Sequence, residues 1–425
     1  MKRVFGSLRK FIARHSHLNW ALLDQALISG VNFFTGILLA RYLGLDEFGV
    51  FSLAWMAVLF ANSLQDALII SPMMSIGAKQ TEKEAPDYFG AVFVQQIFIS
   101  LVSGAFLLFG ARLSELYFPQ WKVGDLALPL AMVVFSYQMQ DFMRRYFFTR
   151  GSSTMVFIID MISYAGKVLL LVWMFYKEFA SISNVLWIIA ITYSLGFICG
   201  LGQISRISWA GTGYFKEICE RHWKFAKWLV ASALLRWTSV NIFSITVAAY
   251  LGASAVGAMR ASKNIVGVAH ILFIGLQNIA TVRTAKLFHE EGIKPMVGYL
   301  WKLTLFGGVA TALICLAAGV APGFWLTIIY REELSEYKYI LQWYAVLYLI
   351  VFFNTPLRSG LRALEHTQPI FWANLGSTLF SILSATFLVS RFGLTGAMLG
   401  MLIAGIILQS ILAFALIQRI SEYNK

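Results

Sequence analysis

The chain is 425 residues long, 59% hydrophobic and only 13% charged, whereas soluble domains carry about 25% charged residues. That deficit excludes an ordinary soluble fold, and the 35 Phe, 17 Tyr and 13 Trp suit lipid contact and interfacial anchoring. The net charge of +13 lies in short clusters between long apolar runs, which excludes the continuous basic face that a nucleic-acid partner needs.

Residues 1–17 set Lys2, Arg3, Arg9, Lys10 and Arg14 among Val4, Leu8, Phe11 and Ile12 at helical spacing. This reads as a cytoplasmic amphipathic segment lying on the inner leaflet. A secretory signal fits less well, because the apolar run after residue 17 is too long, contains Asp24 and lacks a small-x-small cleavage site. A helix needs about 20 apolar residues to cross the hydrocarbon core. On that basis the chain is predicted to be an all-α integral membrane protein of about twelve transmembrane helices. They fall near 18–40, 48–77, 88–110, 126–148, 154–176, 184–204, 224–250, 257–281, 296–318, 337–360, 370–390 and 395–417. Pro72, Pro129 and Pro356 are predicted to kink three of them. The connecting segments are short, so no soluble domain is inserted.

Orientation derives from the loop charges. With residue 1 in the cytoplasm, most of the 34 Lys and Arg fall on the cytoplasmic side, and Arg41, Arg112, Lys122, Lys177, Arg331, Lys338 and Arg391 fall on the other. Both termini are then cytoplasmic. Residues 18–204 form a first lobe of six spans, 205–223 a cytoplasmic inter-lobe loop, 224–417 a second lobe of six spans and 418–425 a cytoplasmic tail. Cys199 and Cys315 lie in predicted spans and Cys219 in the predicted loop, so no disulfide or zinc framework is implied.

The halves repeat. Val31-Asn32-Phe33-Phe34 resembles Val240-Asn241-Ile242-Phe243, and Tyr42-Leu43-Gly44 with Gly49 matches Tyr250-Leu251-Gly252 with Gly257. Leu64-Gln65-Asp66 recurs as Leu276-Gln277-Asn278, and Arg144, Asp160 and Ser163 correspond to Arg358, Asn374 and Ser377. Six spans per half makes the repeat parallel, with its axis along the membrane normal.

An ionisable residue at mid-bilayer costs about 2.5–3.5 kcal/mol even on the lenient insertion scale, so it faces a partner or an aqueous path. Asp24, Asp66, Asp141, Asp160 and Lys167 belong to the first half, and Arg236, Arg260 and Lys263 to the second. Arg260, Lys263, Asn264, Gly267, Gln277 and Asn278 take helical spacing along one face of span 8, and Ser232, Arg236 and Ser239 do so in span 7. Asn62, Gln65 and Asp66 share a face of span 2, and Asn32 accompanies Asp24 in span 1. One reading is a hydrated cavity whose second-lobe wall is cationic and suited to phosphate, since the Arg fork donates two parallel hydrogen bonds. The other is that the charges pair internally, Asp160 with Lys167 for example, or that Arg260 and Lys263 snorkel to headgroups. Asp24, Asp66, Asp141 and Asp160 would bind a coupling proton or cation, or tie helices together. His270 would titrate or simply pack.

There is no GxxxxGK[ST] loop, no HExxH and no GxSxG elbow. An ATPase, a zinc hydrolase and a serine hydrolase are thereby set aside, and no cofactor or metal is implied.

The stretch Gln25-Ala26-Leu27-Ile28-Ser29-Gly30-Val31-Asn32-Phe33, continuing through Leu39-Ala40-Arg41-Tyr42-Leu43-Gly44 and Phe48-Gly49-Val50-Phe51, resembles the start of Wzx-type oligosaccharide flippases. Ser63 to Met74 and the Arg358–Gln368 turn strengthen the likeness. These flippases belong to the multidrug/oligosaccharidyl-lipid/polysaccharide (MOP) exporter superfamily. The resemblance implies a MATE-like bacterial inner-membrane protein that moves polyprenyl-pyrophosphate-linked oligosaccharide to the periplasmic leaflet by alternating access. Its cargo would feed O-antigen, lipopolysaccharide, capsule or exopolysaccharide synthesis, and its partners would be membrane lipids and the pathway's glycan polymerase and glycosyltransferases. Arg236, Arg260 and Lys263 are expected to hold the pyrophosphate. Asn32, Gln65, Asn241, Asn264 and Gln277 are expected to contact sugar or line the cavity. The rival readings are an ion-coupled multidrug or small-molecule exporter of the same superfamily, which would use the first-lobe acids, and a membrane glycan polymerase or ligase.

Overall fold

A computed structural model describes residues 16–117, 123–204, 208, 211–330 and 332–423. The predicted amphipathic segment 1–17 lies outside them except for its last two residues. In chain order the helices are α1 (Ser16–Leu43), α2 (Leu45–Gly77), α3 (Ala85–Tyr117), α4 (Ala127–Thr149), α5 (Ser153–Tyr176), α6 (Ile182–Leu201) and α7 (Thr212–Leu251). They continue as α8 (Ala253–Val266), α9 (Val268–Glu291), α10 (Ile293–Val320), α11 (Pro322–Ile329), α12 (Lys338–Phe352), α13 (Asn354–Ala363) and α14 (Gln368–Tyr423). The fold is all-α.

Among the described residues, nine helices are long and apolar enough to cross a membrane, where the sequence suggests about twelve spans. Particular residues account for the difference. α4 carries Ser136, Gln138, Gln140, Asp141 and Arg144, all buried, and packs against α3, α5 and α6, so its polar groups meet protein and not lipid. The predicted span 257–281 is divided at Gly267 into α8 and α9. α14 takes up two predicted spans in 56 residues, about 84 Å if straight at 1.5 Å per residue, and Gly393 breaks it with φ 58°. Large apolar side chains stay exposed, among them Leu383 at 81%, Phe414 at 71% and Phe109 at 69%, while Gln65, Asp24 and Asp160 are fully buried. That inversion suits a hydrocarbon surround. The protein is a multi-pass membrane protein.

The chain divides into two compact units. Unit 1 takes the chain to Leu43 together with Ala54–Ala233, and unit 2 takes Gly44–Leu53 together with Leu234 onward. The predicted loop over 205–223 is helical from Thr212, and the division falls inside α7. The early part of α7 is held to α3 in unit 1. There the Tyr88 hydroxyl lies 2.9 Å from His222 Nε2, and Gln95 Nε2 donates to Cys219 Sγ at 3.2 Å. The unit 1 core gathers Met73, Tyr88, Phe89, Phe142, Met143, Val156 and Ile159 from α2 to α5. In unit 2, Met296, Leu300, Leu361, Ala373 and Leu412 join α10, α13 and α14.

The stretches that begin at Gly44 and Gly252, the glycines of the two Tyr-Leu-Gly copies, meet within unit 2. Gly44 and Gly252 both have positive φ, 81° and 86°. A Cβ on Gly49 would stand 1.9 Å from the Ala253 carbonyl oxygen, and one on Gly257 would stand 2.5 Å from that of Leu45. Only glycine permits this approach of backbones, and Ser254 donates a hydrogen bond to Asp46 across it.

Candidate functional site

In unit 1 the polar face of α4 builds a buried charged cluster. Arg144 donates from Nη2 to Asp24 Oδ2 on α1 at 2.7 Å and from Nε to Asp160 Oδ2 on α5 at 2.6 Å. Gln140, one turn back, donates to Asp160 Oδ1 at 2.6 Å. The two carboxylates have side-chain exposures of 1% and 0%, so one guanidinium serves two enclosed acids.

Asp160 therefore pairs with Arg144 and not with Lys167, contrary to one of the sequence readings. The reason is local. A π-turn at Met161–Ala165 inserts roughly one extra residue into α5, which rotates the rest of the helix by about 100°. Lys167 is buried with its Nζ 3.4 Å from Asn32 Oδ1 and 5.1 Å from the centre of the Tyr164 ring. Asp66 opens a second π-turn, Asp66–Ile70, in α2. Asp141 accepts from Arg145 Nε at 3.4 Å. Gln65 is enclosed, donating to Gln96 Oε1 at 3.1 Å and to the Gln138 carbonyl at 2.8 Å, so it packs within unit 1.

Unit 2 holds Arg236, Arg260, Lys263, Arg358 and Arg362. Ser239 Oγ lies 3.3 Å from Ser377 Oγ, and Thr378 Oγ1 donates to the Leu235 carbonyl at 3.1 Å, which fixes α7 against α14 beside the exposed Arg236. Arg358 on α13 donates from Nε to Asn354 Oδ1 and from Nη2 to Asn374 Oδ1, each at 3.1 Å. Arg362 and Arg236 are its near like charges. On α8, Arg260 lies among Tyr330, Tyr344 and Tyr348, with Lys263 as its like-charged neighbour. Asn264 donates to the Tyr330 hydroxyl at 3.2 Å. The break at Gly267 means that the predicted stripe is not one helix face. Gln277 sits exposed on α9, and the Asn278 side chain lies outside the described ones. Asn241 donates to the Trp237 carbonyl one turn back at 2.8 Å.

Among the described residues, no carboxylate forms an ion pair with Arg236, Arg260, Lys263, Arg358 or Arg362, whereas Arg144 and Arg145 in unit 1 are both paired. Nor does any group of three or more His, Cys, Asp or Glu among them form a metal site. The sequence reading does not count Arg144 or Arg358 among its site residues. Their correspondence in the repeat is the signal that marks them.

The family model for polysaccharide biosynthesis proteins matches residues 38–281, more than half of the chain. The chain belongs to this family. It is thereby an integral-membrane transporter of the MOP superfamily and not an enzyme. The MatE family model matches residues 229–387. Among solved structures, an inward-facing multidrug resistance MATE transporter of that superfamily is similar at 13% identity and TM-score 0.73, covering 93% of this chain and 94% of that one. The lipid II flippase MurJ in an inward closed conformation is similar at 13% identity and TM-score 0.69, covering 96% and 90%. A MOP transporter from Pyrococcus furiosus, described as having a binding pocket of reversed polarity, is similar at 12% identity and TM-score 0.62, covering 95% and 94%. These likenesses show a MATE-type fold. No curated protein matches the chain in sequence.

Proposed function

We propose that the protein flips a polyprenyl-pyrophosphate-linked oligosaccharide from the cytoplasmic to the periplasmic leaflet of a bacterial inner membrane by alternating access, supplying O-antigen, capsule or exopolysaccharide assembly. The observation that carries this reading is the segregation of charge. Arg236, Arg260, Lys263 and Arg358 of unit 2 form no ion pair with a carboxylate among the described residues, while the acids Asp24, Asp141 and Asp160 of unit 1 are tied to arginine. In this reading Arg236, Arg260 and Lys263 hold the pyrophosphate. Asn32, Asn241, Asn264 and Gln277 contact sugar, and Gln65, enclosed in unit 1, is left out. The chain crosses the membrane twelve times in two parallel six-helix lobes with both termini cytoplasmic. The pathway's polymerase and glycosyltransferases are its partners.

Asp24 and Asp160 share one guanidinium, so that cluster has an excess negative charge which a proton or small cation would balance. It is the proposed coupling site, with Asp66 and Asp141 as further candidates. Because Arg144 already occupies the two buried carboxylates, a cationic drug would have to displace it, which favours the anionic cargo over the multidrug reading.

A strain lacking the gene tests this. It accumulates lipid-linked oligosaccharide on the inner leaflet, and the wild-type gene clears it. Normal periplasmic glycan in that strain, or full rescue by Arg236→Ala at normal protein level, contradicts the reading.

A further inference from the structure

The two units set corresponding polar positions around an arginine, with opposite charge and different bonding. Arg144 meets Asp160 sixteen residues on, and Arg358 meets Asn374 sixteen residues on. Gln140 and Asn354 each stand four residues before their arginine and twenty before the residue at Asp160 or Asn374. In unit 1 two buried carboxylates more than neutralise the guanidinium. In unit 2 the side chains in contact with it are neutral amides, and the nearest charges, Arg362 and Arg236, have the same sign.

Arg358 is also placed to act. It is half-buried, and its two amide bonds use Nε and one hydrogen of Nη2. An arginine has five donors in a rigid fork, so three are left without a protein acceptor among the described residues. The asparagine oxygens orient the fork without cancelling its charge. Ser377 and Thr378 bring α7 alongside, so that Arg236 adds a second cation close by.

We propose that Arg358, oriented by Asn354 and Asn374 and supported by Arg236, is the residue that grips a lipid-borne phosphate or pyrophosphate in unit 2. The proposal rests on the transport reading above and names a phosphate contact that reading lacked. Replacing Asp160 with an amide in the second copy of the repeat, with no carboxylate there in the place of Asp24, converts a structural ion pair into an anion site. A pyrophosphate-linked cargo and a phospholipid headgroup offer the same chemistry, so the test must separate them.

The experiment measures binding of farnesyl pyrophosphate, farnesol and phosphatidylglycerol to the purified full chain in detergent. Wild type should prefer farnesyl pyrophosphate to farnesol. Arg358→Gln should weaken farnesyl pyrophosphate binding about tenfold or more while leaving farnesol binding unchanged, the size expected for a lost charge-assisted hydrogen-bonding fork. Asn374→Asp, which copies unit 1, should weaken it similarly with the arginine still present, and it decides the matter if Arg358→Gln does not fold. Arg358→Lys should restore only part. Farnesyl pyrophosphate binding within twofold of wild type in Arg358→Gln, or in Asn374→Asp where the first does not fold, overturns the assignment and leaves the transport reading standing. Phosphatidylglycerol binding as tight as farnesyl pyrophosphate, and lost in the same variants, reassigns the residue to headgroups and overturns it as a cargo contact. A wild-type chain without any preference for the pyrophosphate over farnesol overturns both.

Discussion

Removing Arg144 is the sharpest structural test of unit 1. Its guanidinium lies 2.7 Å from Asp24 and 2.6 Å from Asp160, whose side chains are 1% and 0% exposed. Arg144→Gln leaves two enclosed carboxylates with no countercharge, and losing one partner of a buried pair costs about 3–5 kcal/mol. Asp160→Asn is far milder, because Arg144 keeps Asp24 and the amide oxygen can still accept, as Asn374 does from Arg358. The loss there should be about 1–2 kcal/mol, that of a weakened charged hydrogen bond. The triple variant Asp24→Asn, Arg144→Gln, Asp160→Asn should recover most of what Arg144→Gln loses, since no unpaired charge remains. The assay is equilibrium unfolding in mixed micelles, titrated with SDS at neutral pH and monitored by tryptophan fluorescence. An Arg144→Gln protein within about 1 kcal/mol of wild type, or a triple variant no more stable than the single, would refute the view that charge pairing holds α1, α4 and α5 together.

Gly49→Ala should destabilise by about 1–3 kcal/mol, the usual range for overpacking, because its Cβ would meet the Ala253 carbonyl oxygen at 1.9 Å. Gly30→Ala, with nothing within 4 Å of the added carbon, is the control that should unfold like wild type in the same titration. Tyr88→Phe should lower stability by about 1–2 kcal/mol by leaving buried His222 without its 2.9 Å partner, and an unchanged midpoint would deny that bond a role. Gln65→Leu should lose about 1–2 kcal/mol through its bonds to Gln96 and Gln138, yet leave farnesyl pyrophosphate binding as in wild type. A binding defect in a fully stable Gln65→Leu protein would restore it to the cargo path.

Much of the helical framework was legible because apolar runs of the right length can hardly form anything else in a membrane. Gly49 and Gly257, which the sequence comparison of the halves had matched, prove to be where the backbones after Gly44 and Gly252 approach each other. Partner choice within the bilayer was not legible. Hydropathy ranks α4 as a poor span because of Gln138, Gln140, Asp141 and Arg144, but cannot tell that they point into protein. Helical spacing put Asp160 and Lys167 on one face, and the π-turn that separates them leaves no mark in a periodicity count. Arg144 and Arg358 look alike in sequence, and only their partners, acids in one case and amides in the other, tell them apart.

Flipping measured in proteoliposomes tests the central claim most directly. Vesicles would carry a polyprenyl-pyrophosphate oligosaccharide with a dithionite-sensitive fluorophore on the sugar, and a fluorescent phospholipid as control. The account predicts that wild-type protein exposes the inner-leaflet glycolipid to dithionite, that Arg236→Ala does so far more slowly, and that the phospholipid stays protected in both. Glycolipid that remains protected with wild-type protein, or flips equally fast with Arg236→Ala, would contradict it.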